Sequence, residues 1–232
     1  MSDRFERLTN LALAVSALAI AGVVVRRELF PAKAAAMPEG EARQTPIFVN
    51  DWKSITQMGS PIGHANAPIT VVEFGDLECP YCKVYHNGTL SGIRKTFGNK
   101  VVVSFVHYPI STHRFARPAA RAAECAKAVG QFGVFVDAVY GKQDSLGLKS
   151  WTSYARDAGI ADTATFRTCT AATTPLLTVD SGVAVGKRLL IKGTPSIMLN
   201  GWLFEMPPTE ATLSKAIAAL LSGSPPFRAA SP

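Results

Sequence analysis

Hydrophobic and polar positions along this chain fall into distinct regimes. Residues 8–25 (LTNLALAVSALAIAGVVV) carry no charge and are followed at once by Arg26 and Arg27. Such a run is about long enough to cross the hydrocarbon core of a bilayer as a helix. Residues 31–46 (PAKAAAMPEGEARQTP) have no sustained apolar period and read as a linker. Beyond them the pattern becomes that of a folded domain. Residues 69–74 (ITVVEF) form a continuous β-branched run, which predicts a buried strand. Residues 80–97 predict a helix, loosened near Asn87-Gly88, and residues 100–108 (KVVVSFVHY) a second strand. That βαβ order implies a parallel pair joined by a right-handed crossover. Helical spacing follows over 115–129, 132–140, 150–158, 163–169 and 176–190. Strands return at 194–199 and 202–205 around an Asn200-Gly201 turn suited to a tight hairpin, and an amphipathic helix over 210–221 closes the domain.

The pattern therefore predicts an α/β fold, a small mixed sheet with helices inserted, and no internal repeat. The expected organisation is a stub and membrane anchor at 1–30, a linker at 31–46, one domain at 47–223 with a helical insertion at about 112–190, and a loose tail at 224–232. A cleaved secretory signal is the alternative for the first segment. Its apolar core would normally be shorter, and the small-residue site Ala34-Ala35-Ala36 follows a charged patch that signal substrates rarely carry there. Arg4 and Arg7 precede the span, while Arg26, Arg27 and Lys33 follow it, so charge alone does not set the orientation.

Composition changes this picture little. The chain has 232 residues, 47% of them hydrophobic, which is ample for one core and excludes disorder throughout. The formal net charge of +7 is not gathered into a Lys/Arg run or an aromatic-interleaved stripe, so the sequence gives no sign of nucleic-acid binding.

The candidate chemistry lies at the first strand–helix junction, VVEFGDLECPYCKVYH. Cys79 falls at the expected N-cap of the helix, with Pro80 at the first helical position, where a missing N–H costs nothing. Free N–H groups and the helix dipole there favour an anion, so Cys79 is expected to ionise easily and to act as the attacking sulfur. Cys82, one turn along, is placed to resolve a mixed disulfide. The same CxxC spacing also makes half of a zinc site. The other half is missing, because Cys125 and Cys169 are single and His64, His86, His107 and His113 form no paired-ligand motif. An inert structural staple is the remaining alternative.

PIGHANAPITVVEFGDLECPYC, followed far downstream by KGTPSIMLNG, resembles the DsbA-like branch of the thioredoxin-fold protein-disulfide oxidoreductases, over roughly residues 59–220. The resemblance rests jointly on the strand–CxxC–helix junction, the helical block after the second strand, and a Thr-Pro opening the next strand. It implies a thioredoxin fold with an inserted helical domain and a thiol-disulfide oxidoreductase that needs neither metal nor organic cofactor. It further implies that Thr194-Pro195 is a cis-proline loop beside the redox pair, able to hold a substrate backbone as an added strand, an ordinary trans proline being the alternative. Pro80 and Tyr81 would tune the pair. Glu73 matches a buried acid that assists proton transfer. Among Val71, Val72 and Phe74 it would have a raised pKa if directed inward, although by period it could equally face solvent. Some DsbA-like relatives carry a bond in the helical domain, and the even cysteine count suits an oxidising compartment, so a structural Cys125–Cys169 disulfide is expected; free core thiols are the alternative.

The function expected is donation of disulfides to extracytoplasmic proteins by an enzyme of the bacterial cell envelope, anchored in the inner membrane or else secreted after signal cleavage. Its partners would be protein or peptide thiols and disulfides, together with a membrane redox protein that recycles the pair. A reductase or isomerase on the same fold, or a non-catalytic metal-delivery domain, are the alternatives. The stretch FGVFVDAVY (132–140) reads as a core helix and His113 as a capping or surface residue.

Overall fold

A computed structural model describes residues 46–227; the expected membrane span and most of the linker and tail lie outside them. Among the described residues no helix is long and apolar enough to cross a membrane. In chain order the elements are β1 (Ile47–Phe48), α1 (Trp52–Met58), β2 (Ser60–Gly63), β3 (Ile69–Gly75), α2 (Pro80–Tyr85), a π turn (His86–Leu90) and α3 (Ser91–Phe97), then β4 (Val101–His107). The helical block follows as α4 (Ala116–Lys127), α5 (Phe132–Gly141), α6 (Trp151–Asp157), α7 (Thr163–Ala171) and α8 (Leu177–Arg188). The chain closes with β5 (Ser196–Leu199), β6 (Trp202–Leu203) and α9 (Glu210–Leu221).

The six strands form one mixed sheet in the order β1-β6-β5-β3-β4-β2, with β3 and β4 parallel and every other pair antiparallel. β3 and β4 are buried along their whole length, as expected of central strands covered on both faces. Alternation then sorts their side chains. Val71, Val103, Phe105, Ile197 and Leu199 point into the larger core, with Leu90 and Ile93 from the α2–α3 segment, Leu213 and Ile217 from α9, and the helical block. Val72, Phe74, Val106 and Met198 pack on the opposite face with Ile55 of α1 and the partly buried Val185 and Leu189. Glu73 shares the parity of Val71, and its register partners are Phe105 and Ile197. It therefore faces the larger core rather than solvent.

The helical block packs through small side chains: Ala119, Ala122, Ala123 and Ala126 of α4 are fully buried. Helix starts carry their own caps, the side chains of Ser150, Asp162 and Thr209 accepting from Ser153, Thr165 and Thr212 N–H groups. Cys125 of α4 and Cys169 of α7 are joined by a disulfide. At the hairpin, Asn200 and Gly201 both have positive φ (42° and 92°), the backbone that an Asn-Gly pair tolerates.

The helix expected over 80–97 is interrupted by the π turn at Asn87-Gly88. Expected strand ends at Thr194 and Glu205 are shorter in the fold. Pro195 has no N–H for a ladder, so β5 begins at Ser196, and after β6 the chain turns so that Phe204 packs against Phe227. β1, α1 and β2 were not anticipated from the sequence; their strands are two and four residues long and one holds Pro61.

Candidate active site

Cys79 caps α2 with extended backbone (φ −70°, ψ 121°) and Pro80 at the first helical position. Its N–H donates to Asp76 O at 3.1 Å, and its carbonyl accepts the Lys83 N–H at 3.1 Å. The Gln143 side-chain amide, reaching in from the helical block, donates to Leu77 O (2.9 Å) and Cys79 O (3.0 Å). Asp76, itself buried, accepts from Glu78 N, Ile110 N and His113 Nδ1, each at 2.8 Å. The loop carrying the first cysteine is thus pinned on both sides. His113 belongs to this arrangement as the half-buried partner of Asp76, more than the surface role expected for it.

Cys79 and Cys82 are free thiols, both buried. Across from them the Thr194–Pro195 peptide bond is cis, and Cys79 Sγ lies 3.3 Å from Thr194 O. Their environments split the two thiols. The Cys82 thiol donates to Cys79 and is the largest influence on it; against the opposing effect of burial, and with help from Thr194 and the N–H groups of Cys82 and Tyr81, it lowers the Cys79 pKa from 9.0 to about 5. Burial pushes Cys82 far above the ordinary thiol range, reinforced by its bond to Cys79 and the nearby Glu73 charge. Tyr81 and Val84 are 76% and 72% exposed, giving the outer side of α2 an apolar rim. Tyr85, one turn on, anchors the Met206–Pro208 segment by donating to Pro208 O at 2.8 Å.

Glu73 lies beneath the pair, fully buried, with Oε2 2.7 Å from His86 Nδ1. His86 Nε2 is 3.0 Å from Asp137 Oδ1, which also accepts from Arg94 at 3.3 Å. Burial alone would lower the His86 pKa, but the charge of Glu73 and the hydrogen bonds to Asp137 and Glu73 outweigh it and raise the value to about 9. Sequence reading missed His86, Asp137 and Gln143. Two signals were present: His86 stands four residues after Cys82, on the same face of one helix, and Asp137 is the lone acid in FGVFVDAVY. Cys125 and Cys169 lie apart from this site, in the helical block. Among the described residues no group of three or more His, Cys, Asp or Glu side chains is placed to hold a metal ion.

A strand, a CPYC helix start and a facing cis-Pro define a recognisable constellation, and the family model described as "Thioredoxin" matches residues 54–219. The chain belongs to the thioredoxin family. As a thioredoxin-family chain its solved neighbours include BdbD from Bacillus subtilis, with a TM-score of 0.64, 23% identity, and coverage of 77% of this chain and 97% of that one. A thioredoxin-like oxidoreductase from Silicibacter pomeroyi gives 0.62 at 24% identity, covering 73% and 97%. Alpha-DsbA1 from Wolbachia pipientis gives 0.59 at 19%, covering 71% and 92%. These likenesses are of fold. Among curated proteins, the chain is 43% identical over 68 residues to the disulfide bond formation protein D of Bacillus subtilis, which covers 28% of this chain and 31% of that protein. It is 29% identical over 159 residues to a Na(+)/H(+) antiporter, NhaA 1, of Mycolicibacterium gilvum. The match takes in 68% of this chain and spans only 26% of that longer protein.

Proposed function

We propose that this thioredoxin-family chain is a DsbA-like protein thiol-disulfide oxidoreductase that donates the Cys79–Cys82 disulfide to substrate proteins outside the cytoplasm. The observation that carries this reading is the split between the two thiols: the Cys79 pKa is lowered to about 5, so that it is a thiolate at neutral pH, beside a Cys82 that stays protonated. Whatever stabilises that thiolate stabilises the dithiol form, and so makes the disulfide the reactive, oxidising member of the couple.

In this reading a substrate thiolate attacks Cys79 Sγ, the Cys79–Cys82 bond breaks, and Cys82 leaves and takes up a proton with Glu73 assisting. A second substrate thiolate then attacks the substrate sulfur of the mixed disulfide, forming the substrate's bond, and Cys79 leaves as its stabilised thiolate. Pro80 and Tyr81 border the attacked sulfur, and the Thr194-Pro195 loop holds the substrate backbone. Each turnover ends in the dithiol, so a membrane redox partner must take the two electrons. Residues 8–25 would tether the domain to the inner membrane of a bacterial cell envelope, or be removed as a signal. Support for the location is chemical: cytosolic reductants would undo a net oxidase, and the Cys125–Cys169 bond suits an oxidising compartment.

The test is the equilibrium reduction potential of Cys79/Cys82, taken in glutathione buffers with thiol trapping. A value well above the glutathione couple is expected. One well below it would assign the chain to disulfide reduction or isomerisation instead.

A further inference from the structure

Glu73 Oε1 is a fully buried carboxylate oxygen with no hydrogen-bond partner among the described residues, while its sister Oε2 is fixed by His86. Such an orphan is costly and calls for an occupant. The Glu73 charge acts on the Cys82 thiol, which is itself shut off from water. We propose that His86 is the positioning residue of the resolving step: by holding Oε2 it leaves Oε1 to take the Cys82 proton, and through Asp137 it passes a compensating proton to water. The proposal rests on the dithiol–disulfide reading above.

The groups that face His86 come from every element around it. Glu73 lies on β3, and Asp137 and Tyr140 on α5, the Tyr140 ring centroid being 5.0 Å from that of His86, while Arg94 on α3 reaches Asp137 behind it. Asp137 is 44% exposed and is the outlet of the chain. Consider Cys79 in a mixed disulfide. The Cys82 S–H proton goes to Glu73 Oε1, the Cys82 sulfur attacks Cys79 Sγ, and the bond to the bound group breaks; that group leaves as a thiolate, reduced as Cys82 is oxidised. Glu73, now neutral, no longer offsets the buried imidazolium, which gives its Nε2 proton to Asp137 and so to water. Opening of the ring disulfide runs the same transfers backwards. While both ring nitrogens carry protons, both carboxylates are held. Once His86 loses one, near pH 9, one carboxylate faces a bare lone pair and the geometry loosens.

The experiment mixes the dithiol protein with glutathione disulfide and follows acid-quenched samples by mass. Attack by Cys79 is bimolecular, first order in glutathione disulfide; closure by Cys82 is unimolecular and independent of it. Three proteins are compared, the parent, His86→Gln and Asp137→Asn. The parent is expected to lose closure rate above about pH 9, and H86Q to close on the order of tenfold more slowly at pH 7, with no such limb and with its attack step little changed. D137N, which strands no buried charge, is expected to begin its loss at lower pH. Closure in H86Q at the parent rate, equal slowing of attack and closure, or a D137N profile identical to the parent's overturns the proposal. A parent protein that reaches neither the mixed disulfide nor the Cys79–Cys82 disulfide overturns the oxidoreductase reading beneath it.

Discussion

Cys79 Sγ stands 3.3 Å from the carbonyl oxygen of Thr194, a residue 115 positions further along the chain. The antiparallel register of β3 and β5, Phe74 against Ser196, brings the two loops together. As a thiol, Cys79 donates to that carbonyl. As a thiolate it cannot, and the Thr194 hydroxyl, buried without another partner among the described residues, is then the group placed to donate to the sulfur. The sheet order therefore bears on the ionisation of Cys79 alongside the helix N-terminus.

The ionisation of Cys79 is accordingly expected to depend on Cys82 first and Thr194 second. The rate of alkylation by iodoacetamide should rise with pH to a midpoint near 5 and stay flat through pH 7. Cys82→Ala removes the largest stabilising partner and should move the midpoint upward by more than a unit, whereas Thr194→Ala should move it upward by less. A Cys82→Ala midpoint equal to the parent's would mean that Thr194 and the helix N-terminus hold the charge without Cys82.

A second expectation concerns stability. The folded-state pKa of Cys79, about 5, lies below the ordinary thiol value of 9.0. The dithiol form thus gains stability that is complete above about pH 9 and is lost as pH falls through about 5. The disulfide form has no such group. The melting temperature of the dithiol minus that of the disulfide should therefore grow from pH 5 to pH 8, whatever constant offset separates the two forms. Parallel melting curves across that range would contradict a thiolate at Cys79.

Much of this architecture was legible because its strands are long, β-branched and central. The 69–74 and 100–108 runs are continuous and rich in β-branched residues, and the closing helix at 210–221 has an amphipathic helical period. β1, α1 and β2 escaped because two- and four-residue strands have no period, and a seven-residue helix that buries only Ile55 presents no stripe. At the site, Cys79, Cys82 and Pro195 stood out as local motifs. The inward aim of Glu73 did not, since period 2 leaves both faces open in a strand buried on each side. Asp137 and Gln143 are joined to the motif through tertiary packing alone, Gln143 being 64 residues from the cysteine carbonyl it holds. No spacing rule reaches across such a distance.

The Cys125–Cys169 bond closes a loop with a sequence separation of 44. Loop-closure entropy for that length gives about 4 kcal/mol in the chain-entropy account. The double variant Cys125→Ala, Cys169→Ala should unfold at clearly lower urea concentration than the parent, while its alkylation midpoint at Cys79 remains near 5, because the bond joins α4 to α7 and touches none of the groups around the redox pair. A matching loss of Cys79 ionisation would instead tie the insertion's integrity to the thiolate.

Gln143 offers the sharpest test of how the insertion supports the site. Its amide is the only side-chain donor among the described residues that reaches both Leu77 O and Cys79 O, and all three residues are buried. Gln143→Leu keeps the volume but removes both donors. Cys79 O retains the Lys83 N–H, so the chief loss is at Leu77 O, left without this partner in an apolar setting. An unsatisfied buried carbonyl costs about 1–3 kcal/mol, and that is the expected fall in unfolding free energy by urea titration. Because the Cys79 turn also loses its clamp, Gln143→Leu should broaden protection differences there: amide hydrogen exchange at Cys79 and Lys83 should speed up relative to β4. A loss confined to global stability, with exchange rising equally everywhere, would mean that Gln143 only fills space and does not hold the redox turn.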